Sequence, residues 1–301
     1  MSNPAPPDWM RQEERSHLGV LRFMVWVSLR LGRGIGRFLL RFIALYYVVA
    51  SPTARRTGAV YLERALGRKP NWIDAYRHVM TFSSTVHDRV YLLNDRFDLF
   101  DIEYVGQEVV HAALEQQRGA LLLGAHLGSF EVLRAMAHKH TDAPVAMLMY
   151  EENARKINAI LHTINPKAHQ DVVPLGHPDS MLKARDRLDA GCLVGLLADR
   201  SLAHDNTVEC LFLGEPARFP TGPWRMAAML RRPVIFMTGL YLGGNRYRLH
   251  FELLADFSNV ERGERDAAIA TAMQAYADRL GHYCRQAPFN WFNFFDFWQR
   301  S

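Results

Sequence analysis

The stretch Ala120-Leu-Leu-Leu-Gly-Ala-His126-Leu-Gly-Ser-Phe-Glu131 decides how this chain is read. Its first half, Ala120 to Ala125, is short, apolar and bounded by glycine, the pattern of a strand covered on both faces; Leu127 to His138 then predicts a helix. His126 falls in the turn between them. On one continuous helix a spacing of five residues separates two side chains by about 140°. His126 and Glu131 therefore converge only if His126 precedes the helix and Glu131 lies in its first turns. A strand-to-helix junction supplies that geometry, with Gly128 opening the turn. A carboxylate that accepts from one imidazole nitrogen makes the other a better base, able to take a proton from a hydroxyl as it attacks an acyl carbonyl. Such a pair needs no enzyme nucleophile. Alone the spacing is weak, because a histidine at a strand end can equally satisfy a backbone carbonyl.

Outward from this stretch, apolar runs alternate with helical patterns. Residues 54–67, 71–95 and 105–117 read as helices, and 119–125, 144–150, 171–174, 192–198, 208–213, 233–240 and 246–254 as strands. The alternation predicts an α/β fold, a mixed, mostly parallel sheet flanked by helices. Gly243-Gly244-Asn245 between two β-rich runs marks a hairpin, and with it an antiparallel edge. No repeat or linker divides the chain, and 49% hydrophobic residues over 301 positions suffice for a sizeable core. The expected organisation is a membrane-associating helix region over 1–52 and one catalytic domain over 53–301.

Charge singles out the N-terminal region. Residues 1–70 hold twelve Lys or Arg against four acids, a surplus of +8 in a chain of net charge +5. An anionic surface is expected to touch this region. Between Leu18 and Ala50 the sequence is mostly apolar, yet arginines interrupt every window of 18 residues, which argues against a plain spanning helix. Arg30, Arg33, Arg37 and Arg41 follow helical spacing within an arc of roughly 80°. Phe38, Leu39, Phe42, Ile43 and Leu45 are spread around the rest. The pattern predicts an N-terminal amphipathic membrane helix whose arginines meet lipid phosphates. The competing reading is a core helix whose arginines pair with acids of the domain. The first seventeen residues are polar and no cleavage site follows an apolar core, so no signal peptide is expected and the cytoplasmic leaflet is the natural side. The flanking aliphatics and the lack of a recognised motif disfavour nucleic acid as a partner.

Other chemistries fit poorly. Ser129 lacks the G-x-S-x-G surroundings of an esterase, since Leu127 and Glu131 stand two places away. No H-E-x-x-H, cysteine pair or carboxylate-rich loop supports a metal, and no cofactor is expected. Cys192, Cys210 and Cys284 cannot all pair, which points to a reducing compartment. The aromatic tail from Phe289 to Trp298 is too apolar to be solvated and either packs on the core or meets lipid.

Four blocks occur in order: Ala125-His-Leu-Gly-Ser-Phe-Glu131, Met149-Tyr-Glu-Glu-Asn-Ala-Arg155, Leu196-Leu-Ala-Asp-Arg200 and Leu213-Gly-Glu-Pro-Ala-Arg-Phe-Pro-Thr-Gly-Pro-Trp-Arg-Met-Ala227. With them the chain resembles, from Arg30 to Trp298, the late acyltransferases of lipid A biosynthesis, a branch of the lysophospholipid acyltransferase superfamily. The resemblance implies transfer of a fatty acyl group from acyl carrier protein to a hydroxyl of a membrane lipid or glycolipid, at the cytoplasmic face of a bacterial inner membrane. The first block matches the family's H-x4-D/E box, which makes His126 the general base and Glu131 its orienting carboxylate. Arg155 stands where the family carries an arginine near the site, to hold a phosphate or steady the oxyanion. The blocks follow successive strands, where sites of open α/β sheets form. Asp199 and Arg200 either pair with each other or contact substrate. Gly222 either lets backbone approach a ligand or simply begins the helix Trp224 to Leu230, capped by Thr221. Two departures leave the acceptor open: Arg200 replaces the glutamine of many lipid A members, and the aromatic tail replaces a more basic ending. The alternatives are an acyl-CoA-dependent lysophospholipid acyltransferase and a non-catalytic membrane lipid-binding protein.

Overall fold

The alternating runs form a layered α/β architecture. The computed structural model describes residues 18–116, 118–132, 144–150, 161, 163–165, 171–177, 179–201 and 205–298. In chain order they form α1 (Leu18–Ala50), α2 (Pro52–Leu66), α3 (Trp72–Leu92), β1 (Asp101–Val105), α4 (Gln107–Glu115), β2 (Ala120–Gly124), β3 (Val145–Tyr150), β4 (Asp171–Leu175), α5 (Ser180–Asp189), β5 (Leu193–Leu197), β6 (Thr207–Phe212), β7 (Glu215–Pro220), α6 (Gly222–Leu230), β8 (Pro233–Gly243), β9 (Arg246–Asp256) and α7 (Arg265–Gln286). Seven strands make one sheet in the order β1-β9-β8-β2-β5-β3-β4. Every pairing in it is parallel except that of β8 with β9.

The central strands are apolar on both faces because both faces are covered. Leu121, Leu123, Val194, Leu196, Val234 and Phe236 join one core with Tyr61 of α2, Trp224 of α6 and Tyr276 of α7. Their neighbours Ala120, Leu122, Leu193, Ile235 and Met237 join a second core with Val90 and Leu92 of α3 and Val110 of α4. Strand alternation thus divides the same short runs between two helical layers.

The sheet differs from the sequence reading at its margins. β1 is an edge strand whose residues alternate between exposed and half-buried, so it offers no apolar run to detect. β7 contains Pro216 and Pro220, residues that argue against a strand, and it pairs with β6 in a separate two-stranded hairpin. β9 is not the edge, because β1 covers it and the antiparallel hairpin lies within the sheet. The helix expected from Leu127 begins later: Leu127 and Gly128 form isolated bridges with Trp291 and Gly239, and helical structure starts at Glu131. Residues 133–138 of that prediction lie outside the described ones.

The N-terminal helix is present, but two of its four stripe arginines, Arg33 and Arg37, turn inward, while Arg30 and Arg41 stay exposed. Arg33 pairs with the fully buried Asp88 of α3 through Nε at 2.8 Å, and Arg37 through Nη2 at 2.6 Å. The Tyr247 hydroxyl donates to the same carboxylate at 2.8 Å. A buried carboxylate is costly unless paired, so the arginines that helical spacing presents together are drawn to it. α1 is also broken at Gly32 (φ 85, ψ 168), which separates Arg30 from the other three. Below the break Gly36, Leu40, Ala44 and Val48 form a buried stripe as α1 packs on α3. A Cβ at Gly36 would overlap the His87 imidazole, so only glycine permits that approach. What α1 turns outward is mostly apolar: Trp26, Ile35, Phe38, Phe42, Leu45 and Tyr46 are exposed, together with Arg30 and Arg41. Among the described residues no single helix is long and apolar enough to cross a membrane, and the Met24–Ala50 part of α1 meets α2 at a bend of 95°.

Candidate active site

Strand register brings the two principal groups together. β2 and β5 are parallel neighbours with Gly124 opposite Leu197, and the Ala198 amide donates to the Gly124 carbonyl at 3.0 Å. His126 and Asp199 each stand two residues beyond that last pair, side by side above the carboxyl ends of the strands. Asp199 Oδ1 lies 2.9 Å from His126 Nδ1, and Oδ2 accepts the His126 backbone N–H at 3.0 Å. The Trp291 indole N–H donates to Oδ2 as well, also at 3.0 Å.

Burial opposes ionisation of Asp199, but the His126 ring, the Arg200 charge and the Trp291 N–H outweigh it and hold the carboxyl well below the usual carboxylate range. An ionised carboxylate only accepts, so His126 carries its proton on Nδ1 and leaves Nε2 as a free base. Burial, and then the Arg200 charge, push the imidazole below its ordinary value, against the opposing pull of Asp199. The ring is therefore neutral near pH 7. Its side chain keeps 33% of its surface exposed, whereas Asp199 keeps 1%, so a substrate can reach the histidine but not its partner.

The loop that carries His126 is strapped down from two sides. Gly128 has φ +74, and a Cβ there would overlap the Gly239 carbonyl of β8. The glycine is thus required both for its backbone conformation and for the close approach. The Ser129 amide donates to Gly239 O at 2.8 Å, and the Thr238 hydroxyl to Leu127 O at 3.1 Å. From the other side the C-terminal segment runs past the loop: Gly128 N donates to Asn290 O at 2.9 Å and Phe292 N to His126 O at 2.8 Å. The Arg200 guanidinium donates to the Phe292 carbonyl at 3.0 Å and lies over the Phe295 ring. The aromatic tail packs on the core: Trp291 is 1% exposed and packs on Tyr61, Phe212 and Phe297, while Phe289, Phe297 and Trp298 are half-buried against it.

A family model described as bacterial lipid A biosynthesis acyltransferase matches residues 85–300. The chain belongs to the bacterial lipid A biosynthesis acyltransferase family. Membership carries lipid acyl transfer, with a lipid acceptor and an acyl donor. A search of curated proteins finds no matching relative.

Within this acyltransferase fold the expected residues fare differently. The imidazole partner is Asp199, not Glu131; Glu131 is instead ion-paired with Arg89 of α3, Nε to Oε1 at 2.6 Å. The reason is that β2 and β5 deliver Asp199 directly beside the ring, while an arginine from the last turn of α3 meets Glu131 at the start of its helix. Asp199 and Arg200, read as either a mutual pair or substrate contacts, do not hydrogen-bond each other: the aspartate turns to His126 and the arginine to Phe292 O, though their charges still act on each other. Arg155 lies outside the described residues. Gly222 begins α6 in an exposed position where a Cβ would meet nothing within 4 Å, so no close approach requires glycine there. Thr221 uses its hydroxyl on Asn206 O at 3.1 Å rather than as a cap. Trp291 at the dyad carboxylate has no local signal beyond the density of aromatics. Among the described residues no group of three or more His, Cys, Asp or Glu could hold a metal ion.

Proposed function

We propose that the protein is an O-acyltransferase that moves a fatty acyl group from acyl carrier protein to a hydroxyl of a membrane lipid or glycolipid, with His126 as general base. The observation that carries this reading is the neutral, partly exposed His126, held through Nδ1 by a buried, ionised Asp199. Nε2 takes the acceptor's proton as its oxygen attacks the thioester carbonyl. The tetrahedral intermediate collapses to the new ester, and the leaving thiolate recovers the proton from the imidazolium. Asp199 stabilises that imidazolium. Glu131, held by Arg89, is left to accept hydrogen bonds from the acceptor. The His126, Gly128 and Ser129 amides are already engaged, so charge on the oxyanion falls to side chains, with Arg200 and Arg155 the candidates.

The outward face of α1 supports a membrane-bound location; that this is the cytoplasmic side of a bacterial inner membrane rests on the family resemblance. Phe38, Phe42, Leu45, Trp72 and Ile73, with Arg41, border an open apolar groove of about 490 Å³ between α1 and α3. Arg41 lines this groove and Arg30 is exposed on the other side of the Gly32 break, both able to complement anionic lipid, while Arg33 and Arg37 belong to Asp88. Phe38→Glu/Phe42→Glu is expected to weaken binding to anionic vesicles about ten-fold or more, given the burial value of one phenylalanine. Undiminished binding would remove this face from the membrane contact.

The decisive experiment feeds labelled acyl groups on acyl carrier protein, or on CoA, to vesicles of bacterial lipid extract and follows the label into lipid by mass spectrometry. Wild type should label a lipid and His126→Ala should not, with the preferred donor separating the two enzyme readings. If folded, membrane-bound wild type labels nothing from either donor, the lipid-binding reading replaces catalysis.

A further inference from the structure

Trp291 has one property that packing alone does not require. Its ring is wedged edge-on against Tyr61 at 4.8 Å, Phe297 at 4.9 Å and Phe212 at 5.3 Å between centroids. A phenylalanine could fill much of that space. Its indole N–H, however, reaches across to Asp199 Oδ2, the oxygen that also receives the His126 backbone N–H. Oδ1 is thereby turned toward His126 Nδ1.

The indole is itself immobilised. The Trp291 carbonyl accepts from His78 Nε2 at 2.8 Å, and its backbone bridges Leu127 next to the histidine. One residue further on, Phe292 ties the His126 and Arg200 loops together through its N–H and carbonyl. The C-terminal segment is thus a fixed point from which one donor is aimed at the carboxylate behind the base.

We propose that Trp291 is a positioning residue of the acyl-transfer site, whose indole N–H locks the Asp199 carboxylate in the orientation that serves His126. This rests on His126 being the base. Losing the N–H leaves Oδ2 one donor fewer, frees the carboxylate to turn, and strengthens its hold on an imidazolium, because a carboxylate with fewer donors accepts more strongly from those that remain.

Two variants test it: Trp291→Phe, and site-specific replacement by β-(3-benzothienyl)alanine, which keeps the bicyclic ring and puts sulfur in place of the N–H. The second guards against loss of folding in the first. Each is assayed with lauroyl acyl carrier protein and vesicles of bacterial lipid extract across pH, and the His126 ring is titrated by NMR, its signal assigned from His126→Ala. The expected result is kcat lowered about ten-fold with KM little changed, and both the acid limb of activity and the His126 midpoint moved to higher pH. A purely structural Trp291 would lower thermal stability and leave the midpoint and the acid limb where they were. If the benzothienyl protein is folded with wild-type kcat and midpoint, the inference is overturned while the reading of the base stands. If His126→Ala is itself fully active, the reading of the base falls and takes the positioning role with it.

Discussion

Asp199 holds His126 at two points, taking the Nδ1–H on one oxygen at 2.9 Å and the backbone N–H on the other at 3.0 Å. The carboxylate therefore fixes both the rotation of the ring and the tautomer it adopts. Replacing Asp199 by Asn puts an amide against Nδ1, which can present N–H₂ there and drive the proton to Nε2, the wrong nitrogen. Asp199→Asn should lower kcat by about 10²–10⁴-fold, the range for general-base catalysis, with KM little affected. Donor turnover by folded protein measures this, and a loss under three-fold would argue against the dyad.

If His126 is the base, the Arg200 charge adds to burial in extending activity toward acid pH. Burial and Arg200 together place the imidazole below its ordinary value, so the base form persists as pH falls below about 6.5 and is lost only through the lower folded-state value. Arg200→Gln removes one of the two lowering influences. The acid limb of kcat/KM should move upward, which a pH-rate profile would show; a downward or absent shift contradicts the electrostatic role.

Asp88 anchors the N-terminal helix. Its side chain is 0% exposed and carries Arg33, Arg37 and the Tyr247 hydroxyl. Asp88→Asn leaves two cations without their counter-charge and should destabilise the fold by about 3 kcal/mol. Urea unfolding reads the loss, and faster proteolysis within α1 would place it there.

His78 ties stability to acidity. The ring is buried under the tail, stacked on Phe294 and bonded to Trp291 O, and burial pushes it down to about 4. The unfolded chain binds a proton at about 6.5, so stability is complete above that value and declines as pH falls toward the folded value, by about 3 kcal/mol in total. Denaturation midpoints between pH 7 and pH 4 should follow this course in wild type. His78→Gln keeps a donor for Trp291 O and lacks the titration, so this part of the slope should vanish.

Local pattern determined a good deal of this molecule. Period and punctuation were enough for the buried central strands, because runs such as Ala120–Gly124 must be covered on both faces, and for His126 at a strand end. They were enough too for the grouping of Arg33 and Arg37 on one side of a helix. The edge strand β1 was illegible because it buries no apolar run, and β7 because its two prolines argue against a strand.

What a side chain meets across the sheet was decided only by the tertiary structure. Helical spacing says that Arg33 and Arg37 share a face, but the buried Asp88, 51 residues beyond Arg37, decides that this face points inward and leaves the apolar one for the surroundings. Spacing likewise offered Glu131 to His126, yet the parallel register of β2 with β5 delivered Asp199 from 73 residues away, and the returning tail added Trp291 from 92 residues beyond Asp199. Sequence periodicity encodes which residues share a surface; strand order and register, set by the packing of the whole core, choose what that surface faces.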